Sequence, residues 1–164
     1  MGKRIDVSAL PSVVGTLYPT PFDGPCRARE RIKLGDEAGL TQFGVNLSKL
    51  PPGTWSSQRH WHSSADEFIY VVAGEVVLVT DEGEEVLKAG DAAGFKAGDD
   101  NGHTFQNRSA ADVLILEIGT RDDADVGYYS DIDMVAPAAG KPAIYAHRDG
   151  TPYTDIRRRG PGDS

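Results

Sequence analysis

Gly53-Thr54-Trp55-Ser56-Ser57-Gln58-Arg59-His60-Trp61-His62-Ser63-Ser64-Ala65-Asp66-Glu67-Phe68-Ile69-Tyr70-Val71-Val72-Ala73-Gly74 is the run on which the reading of this chain turns. His60 and His62 sit at i and i+2. In a strand such residues share a face, so both imidazoles can reach one metal ion. Glu67 is out of phase with them for an unbroken strand, so Ser63-Ser64-Ala65-Asp66 must bend and reset the phase. Beyond the bend, Phe68 to Val72 is β-branched and aromatic, as a buried strand should be, and Gly74 ends it. Glu67 then leads this strand on the side of Ile69 and Val71, with Tyr70 facing away. His103, from a distant strand, would supply a third nitrogen.

The same strand grammar extends outward. Upstream, Gln42 to Leu50 alternates Phe43, Val45 and Leu47 with Gly44, Asn46 and Ser48, and Pro51-Pro52-Gly53 stops it. Glu30 to Leu34 reads as a further strand, followed by the turn-rich Gly35-Asp36-Glu37-Ala38-Gly39. Downstream, Glu75 to Thr80 and Glu84 to Leu87 flank Asp81-Glu82-Gly83, a hairpin turn. Ala92 to Lys96, His103 to Asn107 and Val113 to Ile118 complete a set of short strands in close succession, the spacing of a sandwich or barrel. No amphipathic helix and no internal repeat is evident.

The ends differ in character. Residues 1–29 read as an irregular arm lying along the outside and pinned by Leu17, Tyr18 and Phe22, because Pro19 and Pro21 bar ladder pairing in a central strand. Residues 30–120 carry the barrel. Residues 121–164 form a C-terminal extension and tail: Arg121-Asp122-Asp123-Ala124-Asp125 as a solvated acidic loop, Tyr128 to Met134 as a short edge strand, and Ala136 to Pro142 as linker. Asp149-Gly150 marks a hairpin between Ile144-Tyr145 and Pro152-Tyr153, and Arg157-Arg158-Arg159 begins a mobile tail.

Composition excludes several classes. A chain of 164 residues suits one core. Its net charge of −8 argues against general nucleic-acid binding, which needs a basic footprint. No apolar run approaches the roughly 20 residues of a membrane span, and the N-terminus lacks the apolar core of a signal peptide. Cys26 is the single cysteine, so no internal disulfide forms and a cytoplasmic location is expected.

The spacing of Gly53, His60, His62, Glu67 and Gly74 resembles the first motif of the cupin superfamily almost position for position. Gly90, Lys96-Ala97-Gly98, His103 and Asn107 resemble the second, and residues 75–89 match the short spacer of small bacterial cupins. Two positions depart from the pattern: Lys96 stands where proline is usual, and the loop from Gly98 to His103 is longer. The resemblance implies an all-β double-stranded β-helix, a jelly-roll barrel. It implies one divalent metal ion bound by His60, His62, Glu67 and His103, and it selects Glu67 over Asp66. Three imidazoles and one carboxylate leave positions of an octahedral site open for water, substrate or dioxygen, and suit Fe, Mn, Zn or Ni. A homodimer is expected, since small cupins pair through sheet edges and the arm around Tyr18 and Phe22 offers apolar surface.

Other residues are weighed against this constellation. Lys96 at the barrel mouth is the candidate for an anionic substrate group, since a charge there is costly without a partner. Phe105 shares the face of His103 and is the best pocket candidate. Arg59 directly precedes a ligand and points away from the metal, and Trp55, Trp61 and Phe95 read as core or interface. His147 reads as a surface residue; Asp131 and Asp133 have period-two spacing, with capping or a solvated edge preferred over a catalytic pair. No general base is identifiable. Three functional readings follow. The first is a metal-dependent isomerase of a sugar or sugar phosphate. The second is an iron-dependent dioxygenase. The third is a non-catalytic binding or sensor domain, weakened by the lack of a helix-turn-helix pattern. No flavin, nicotinamide or phosphate-loop motif is present, so the metal and a small-molecule substrate carry the chemistry.

Overall fold

A computed structural model describes residue 2 and residues 4–164; Met1 and Lys3 of the N-terminal arm lie outside the described residues. The strands are β1 (Val13–Val14), β2 (Glu30–Lys33), β3 (Phe43–Leu50), β4 (His60–His62), β5 (Glu67–Ala73), β6 (Glu75–Thr80), β7 (Gly83–Lys88), β8 (Ala92–Phe95), β9 (Thr104–Gln106), β10 (Val113–Thr120), β11 (Gly127–Tyr129) and β12 (Val135–Ala136). Those between residues 30 and 120 fall close to where the sequence places them, whereas β1 lies in the arm read as irregular and β12 at the start of the stretch read as linker. The turn-rich gap after β2 is a single helical turn, α1 (Leu34–Glu37). No helix among the described residues is long and apolar enough to cross a membrane.

One layer is a six-stranded sheet in the order β1-β2-β3-β10-β5-β8. The facing layer is made of two three-stranded pieces, β12-β11-β4 and β7-β6-β9. Isolated bridges from His60 to His103 and from Trp55 to Gln106 join them. The sheets do not close on themselves, and the all-β architecture is a jelly roll of two packed layers.

The core follows from the period of two. Along β5 the burial alternates, with Ile69 and Val71 inside and Phe68, Tyr70 and Val72 outside. Leu50, Val76, Val113 and Ile115 meet them between the layers with no exposure, each contributing roughly 1.5–3 kcal/mol by area burial. Gly74 makes the corner from β5 to β6 at φ 82°, where a Cβ would lie 2.8 Å from the Asp112 carbonyl oxygen. A second cluster gathers Tyr18, Cys26, Tyr129 and Met134. Tyr18, expected on the outside, is thus interior at 4% exposure.

The C-terminal segment also departs from expectation. Tyr128 and Tyr129 belong to β11, which is the middle strand of its sheet and pairs with β4 on one side and β12 on the other. Asp149-Gly150 does turn a hairpin, with Ala146 bridging Pro152 and Tyr153 N donating to Tyr145 O. Arg159 is no tail residue. Its backbone pairs with Thr16 in both directions (2.9 and 2.8 Å), and its side chain is 1% exposed. The guanidinium donates to Tyr18 O and Asp155 Oδ2 and faces the buried Asp23 at 3.6 Å. A run of three arginines gives no hint that one of them is buried, because the partners come from the opposite end of the chain.

Arg159→Ala removes a buried guanidinium from Asp23, which keeps only Arg27. The expected loss is about 3 kcal/mol, the low end for breaking a buried ion pair. Urea unfolding followed by circular dichroism measures it, with Arg158→Ala, whose side chain makes a long 3.5 Å contact with the Gly15 carbonyl oxygen, as the near-neutral comparison.

Candidate metal centre

β4 carries His60 and His62 on one face, with Trp61 between them stacked on Tyr128 at 4.5 Å. Antiparallel pairing sets Tyr129 opposite His60 and Gly127 opposite His62. On the other side of β4, His60 and His103 exchange both backbone hydrogen bonds (3.1 and 2.9 Å). Residues 63–66 then turn the corner, as the phase argument requires. The Asp66 N–H donates to Thr120 Oγ1, and Glu67 enters β5 between Gly119 of β10 and Phe95 of β8.

The four side chains converge. Glu67 Oε2 lies 3.7 Å from His60 Nε2, 3.4 Å from His62 Nε2 and 2.9 Å from His103 Nε2. Ligand atoms of His60, His62 and Glu67 all lie within 4.8 Å of one another, a group that does not include His103. His103 joins from the far side, its ring stacked on Phe95 at 3.6 Å and 8°.

Two of the three ring nitrogens facing away from the cluster are held in place, while His103 Nδ1 is buried without a hydrogen-bond partner among the described residues. His60 Nδ1 contacts the Gln58 carbonyl oxygen at 3.0 Å, and His62 Nδ1 contacts Asp125 Oδ2 at 2.5 Å. Asp125 Oδ1 accepts from the Ser64 and Ala65 N–H groups. The carboxylate expected in a solvated loop therefore orients a histidine and ties down the corner before Glu67. Such a carboxylate–imidazole link fixes the tautomer and raises ligand basicity. Nothing in the sequence marks Asp125 over Asp122 or Asp123, because the choice depends on where the loop folds back.

Charge states suit a cation. Burial, before any other influence, lowers the His60 pKa to about 4, so the ring is neutral. Burial alone would raise the Glu67 pKa, but the close contact with His103 and the electrostatic influence of the three imidazoles around it bring it down to about 2. A neutral imidazole and an ionised carboxylate are the forms that ligate. Glu67 Oε2 is buried without a hydrogen-bond partner among the described residues, despite the nearby nitrogens. A buried, unbonded carboxylate oxygen amid three imidazoles costs free energy unless something else coordinates it. The donor set fits a divalent metal.

All four residues line a cavity of about 450 Å³ between the layers. His62, Glu67 and His103 also border a second cavity of about 670 Å³. Lys96 lines that second cavity, with Glu82, Glu84 and Glu85 across from it. Lys96 is exposed and hydrated, so the cost of an unpartnered charge, the argument for its role, does not arise at this position. Phe105, 1% exposed, forms part of the hydrophobic core and the floor of the smaller cavity. Arg59 points away from the cluster and pairs with Asp131 at 2.7 Å and with Asp81. Asp133 instead accepts from His147 and the Arg148 N–H, so the two aspartates serve different partners.

The smaller cavity holds residues the motifs did not reveal. Arg29, Arg31, Lys33 and Arg121 line it. Arg31 pairs with Glu117 at 2.9 Å and donates through Nε to Ser48 Oγ. Arg29 donates to the carbonyls of Ser56 and Gly15, and no carboxylate among the described residues lies within ion-pair distance of it. The signal was available: alternation across Arg29-Glu30-Arg31-Ile32-Lys33 puts three cations on one strand face, and all three line the cavity, with Lys33 exposed at its end.

A cupin-domain sequence profile matches residues 46–119. The structure of a sugar phosphate isomerase from a cupin superfamily, from Silicibacter pomeroyi, is similar over 94% of this chain and 100% of that one, with 41% identity and a TM-score of 0.88. A protein assigned as a sugar phosphate isomerase from Acidithiobacillus ferrooxidans is similar over 80% of each chain, with 28% identity and a TM-score of 0.69. The polyketide cyclase RemF of Streptomyces resistomycificus shares the fold at 20% identity over 74% of this chain and 81% of that one, with a TM-score of 0.61. No functionally curated protein matches the chain.

Asp125→Ala is expected to weaken divalent metal binding about 10–100-fold, the usual effect of losing a carboxylate behind a ligating histidine. Calorimetric titration of metal-stripped protein with manganese(II) or zinc(II) reads the shift. Asp122→Ala, in the same loop but without the His62 contact, should bind as wild type.

Proposed function

Because the chain belongs to the cupin superfamily, we propose that it is a metal-dependent isomerase interconverting the aldose and ketose forms of a small sugar or sugar phosphate. The observation that carries this reading is the lining of the 450 Å³ cavity, where the three histidines and Glu67 face Arg29, Arg31, Lys33 and Arg121. Polar surface predominates there, which favours a polyhydroxylated anion over an aromatic or aliphatic substrate. The likeness to two structures described as sugar phosphate isomerases supports the same substrate class.

His60, His62, Glu67 and His103 would hold one divalent ion, which when bound supplies a Lewis acid for a substrate carbonyl. The chain's own residues do the rest. Arg29 carries a charge no carboxylate offsets, and with Arg31 it favours a phosphate or carboxylate on the substrate. The hydroxyl-bearing Tyr18 and Tyr145 rings line the same wall and suit sugar hydroxyls; burial, first of all, raises both pKa values, so both act as neutral phenols. Phe105 closes the floor against water. Lys96, on the rim of the neighbouring cavity, attracts anions on approach.

Protein loaded with manganese or zinc should interconvert pentose or hexose phosphates under argon. Chelation should abolish turnover and added metal should restore it, whereas His62→Ala should neither retain metal nor recover. Turnover that requires oxygen overturns the isomerase reading in favour of a dioxygenase. Silence under both atmospheres, with ligands still bound, favours a binding domain.

A further inference from the structure

Three carboxylates line the smaller cavity, and they are not equivalent. Glu67 belongs to the metal cluster, and Asp36 sits at the rim, 45% exposed and paired with Arg121. Glu117 is the third. It lies on the inward face of β10, opposite Ile69 of β5 and Asn46 of β3, and its side chain is 14% exposed. Gly119, two residues further along β10, is the residue opposite Glu67. Glu117 is therefore the diagonal neighbour of Glu67 across the strand pair, a separation of about 7–8 Å. Gly119 places no side chain between them. That spacing leaves room for a substrate carbon with the metal cluster on one side and a carboxylate outside that cluster on the other.

Glu117 is also held rather than mobile. Arg31 Nη2 reaches both of its oxygens, at 3.2 and 2.9 Å, and Ser48 Oγ fixes the Arg31 Nε. A carboxylate offers about four acceptor positions, so lone pairs remain for a substrate proton. Burial works against the Arg31 charge, but Glu117, followed by Tyr18 and Glu67, raises its pKa, so the guanidinium stays charged.

Resting on the isomerase reading, we propose that Glu117 is the catalytic base that moves the substrate proton between adjacent carbons. Glu117 takes the proton from C2 of the open-chain aldose. The C2–H electrons form a C1=C2 double bond while the carbonyl π pair moves onto O1. The same carboxyl then returns its proton to C1 as the C2 carbonyl forms, and the C2 hydroxyl proton reaches O1 by exchange with water. No oxidant or reductant is consumed. The geometric requirement is a base within reach of the transferred proton, with a carbon held between base and Lewis acid.

The test uses metal-loaded full-length protein in deuterium oxide, with a panel of pentose and hexose phosphates and the corresponding free aldoses. Proton NMR follows both isomerisation and deuterium entry at C2. Glu117→Gln keeps the shape and can still accept from Arg31. It should lose both activities by about a thousandfold, within the range for a removed general base, with metal content and thermal midpoint unchanged. Glu117→Asp keeps the charge but withdraws it by one methylene. It should fold and retain a reduced but measurable rate, and it serves should the glutamine variant fail to fold. Wild-type activity with exchange in Glu117→Gln within tenfold of wild type, or undiminished turnover in Glu117→Asp, overturns Glu117 as the base and leaves the isomerase reading standing. Wild-type protein that neither isomerises nor exchanges any sugar overturns the isomerase reading and this assignment together.

Discussion

The reciprocal hydrogen bonds between the backbones of His60 and His103 are the joint on which the rest depends. On one side of that joint lies β12-β11-β4, on the other β7-β6-β9. With the Trp55–Gln106 bridge beside it, the joint makes one layer of what would otherwise be two ribbons, each presenting unpaired edges. The joint also sets register. A slip of one residue would turn both imidazoles from the interior to the outer face, because side-chain direction alternates strictly. Layer closure and the convergence of two nitrogens on one point are thus the same event. Glu67 completes the cluster from the opposite layer, so the site spans the gap that the core fills elsewhere.

Charge is sorted by depth. The chain as a whole is acidic, with a net charge of −8, and most of its carboxylates meet solvent. The cavity beside the histidine cluster collects arginines instead, one neutralised by Glu117 and one held only by carbonyl oxygens. Uncompensated positive charge in a half-enclosed space is destabilising in the free protein and becomes favourable once an anion enters. An acidic exterior does not interfere, since exposed charges beyond about 8 Å are screened at physiological ionic strength.

Much of this was legible beforehand, and the reasons are local. Strands from Phe43 to Thr120 follow from period-two alternation bounded by Gly and Pro, and the histidine pair with Glu67 follows from the same period plus one bend. What resisted reading depends on contacts between distant segments. Asp125 looks like any acid in a loop until the loop closes over His62. Arg159 looks like a tail until it threads beneath Tyr18. Tyr129 reads as part of an edge strand, yet β11 is central, paired with β4 on one side and with the later β12 on the other. Glu117 was hidden in plain alternation: an acid that follows Val113 and Ile115 on the inward face of β10 marks a cavity wall.

Asp125 and β11 come after every residue of the histidine cluster in the chain, and Arg159 comes later still. A ribosome that has just released His103 has made all four potential ligands but neither the carboxylate that aims His62 nor the strand that backs His60. During synthesis the cluster is therefore a loose collection of donors, and tight capture of an ion waits for the last segments to dock. Long-range pairing of this kind also slows folding, since loops spanning most of the chain close before their contacts reward them. An ion held at this cluster would gain the support of Asp125 and β11 only once those segments had docked.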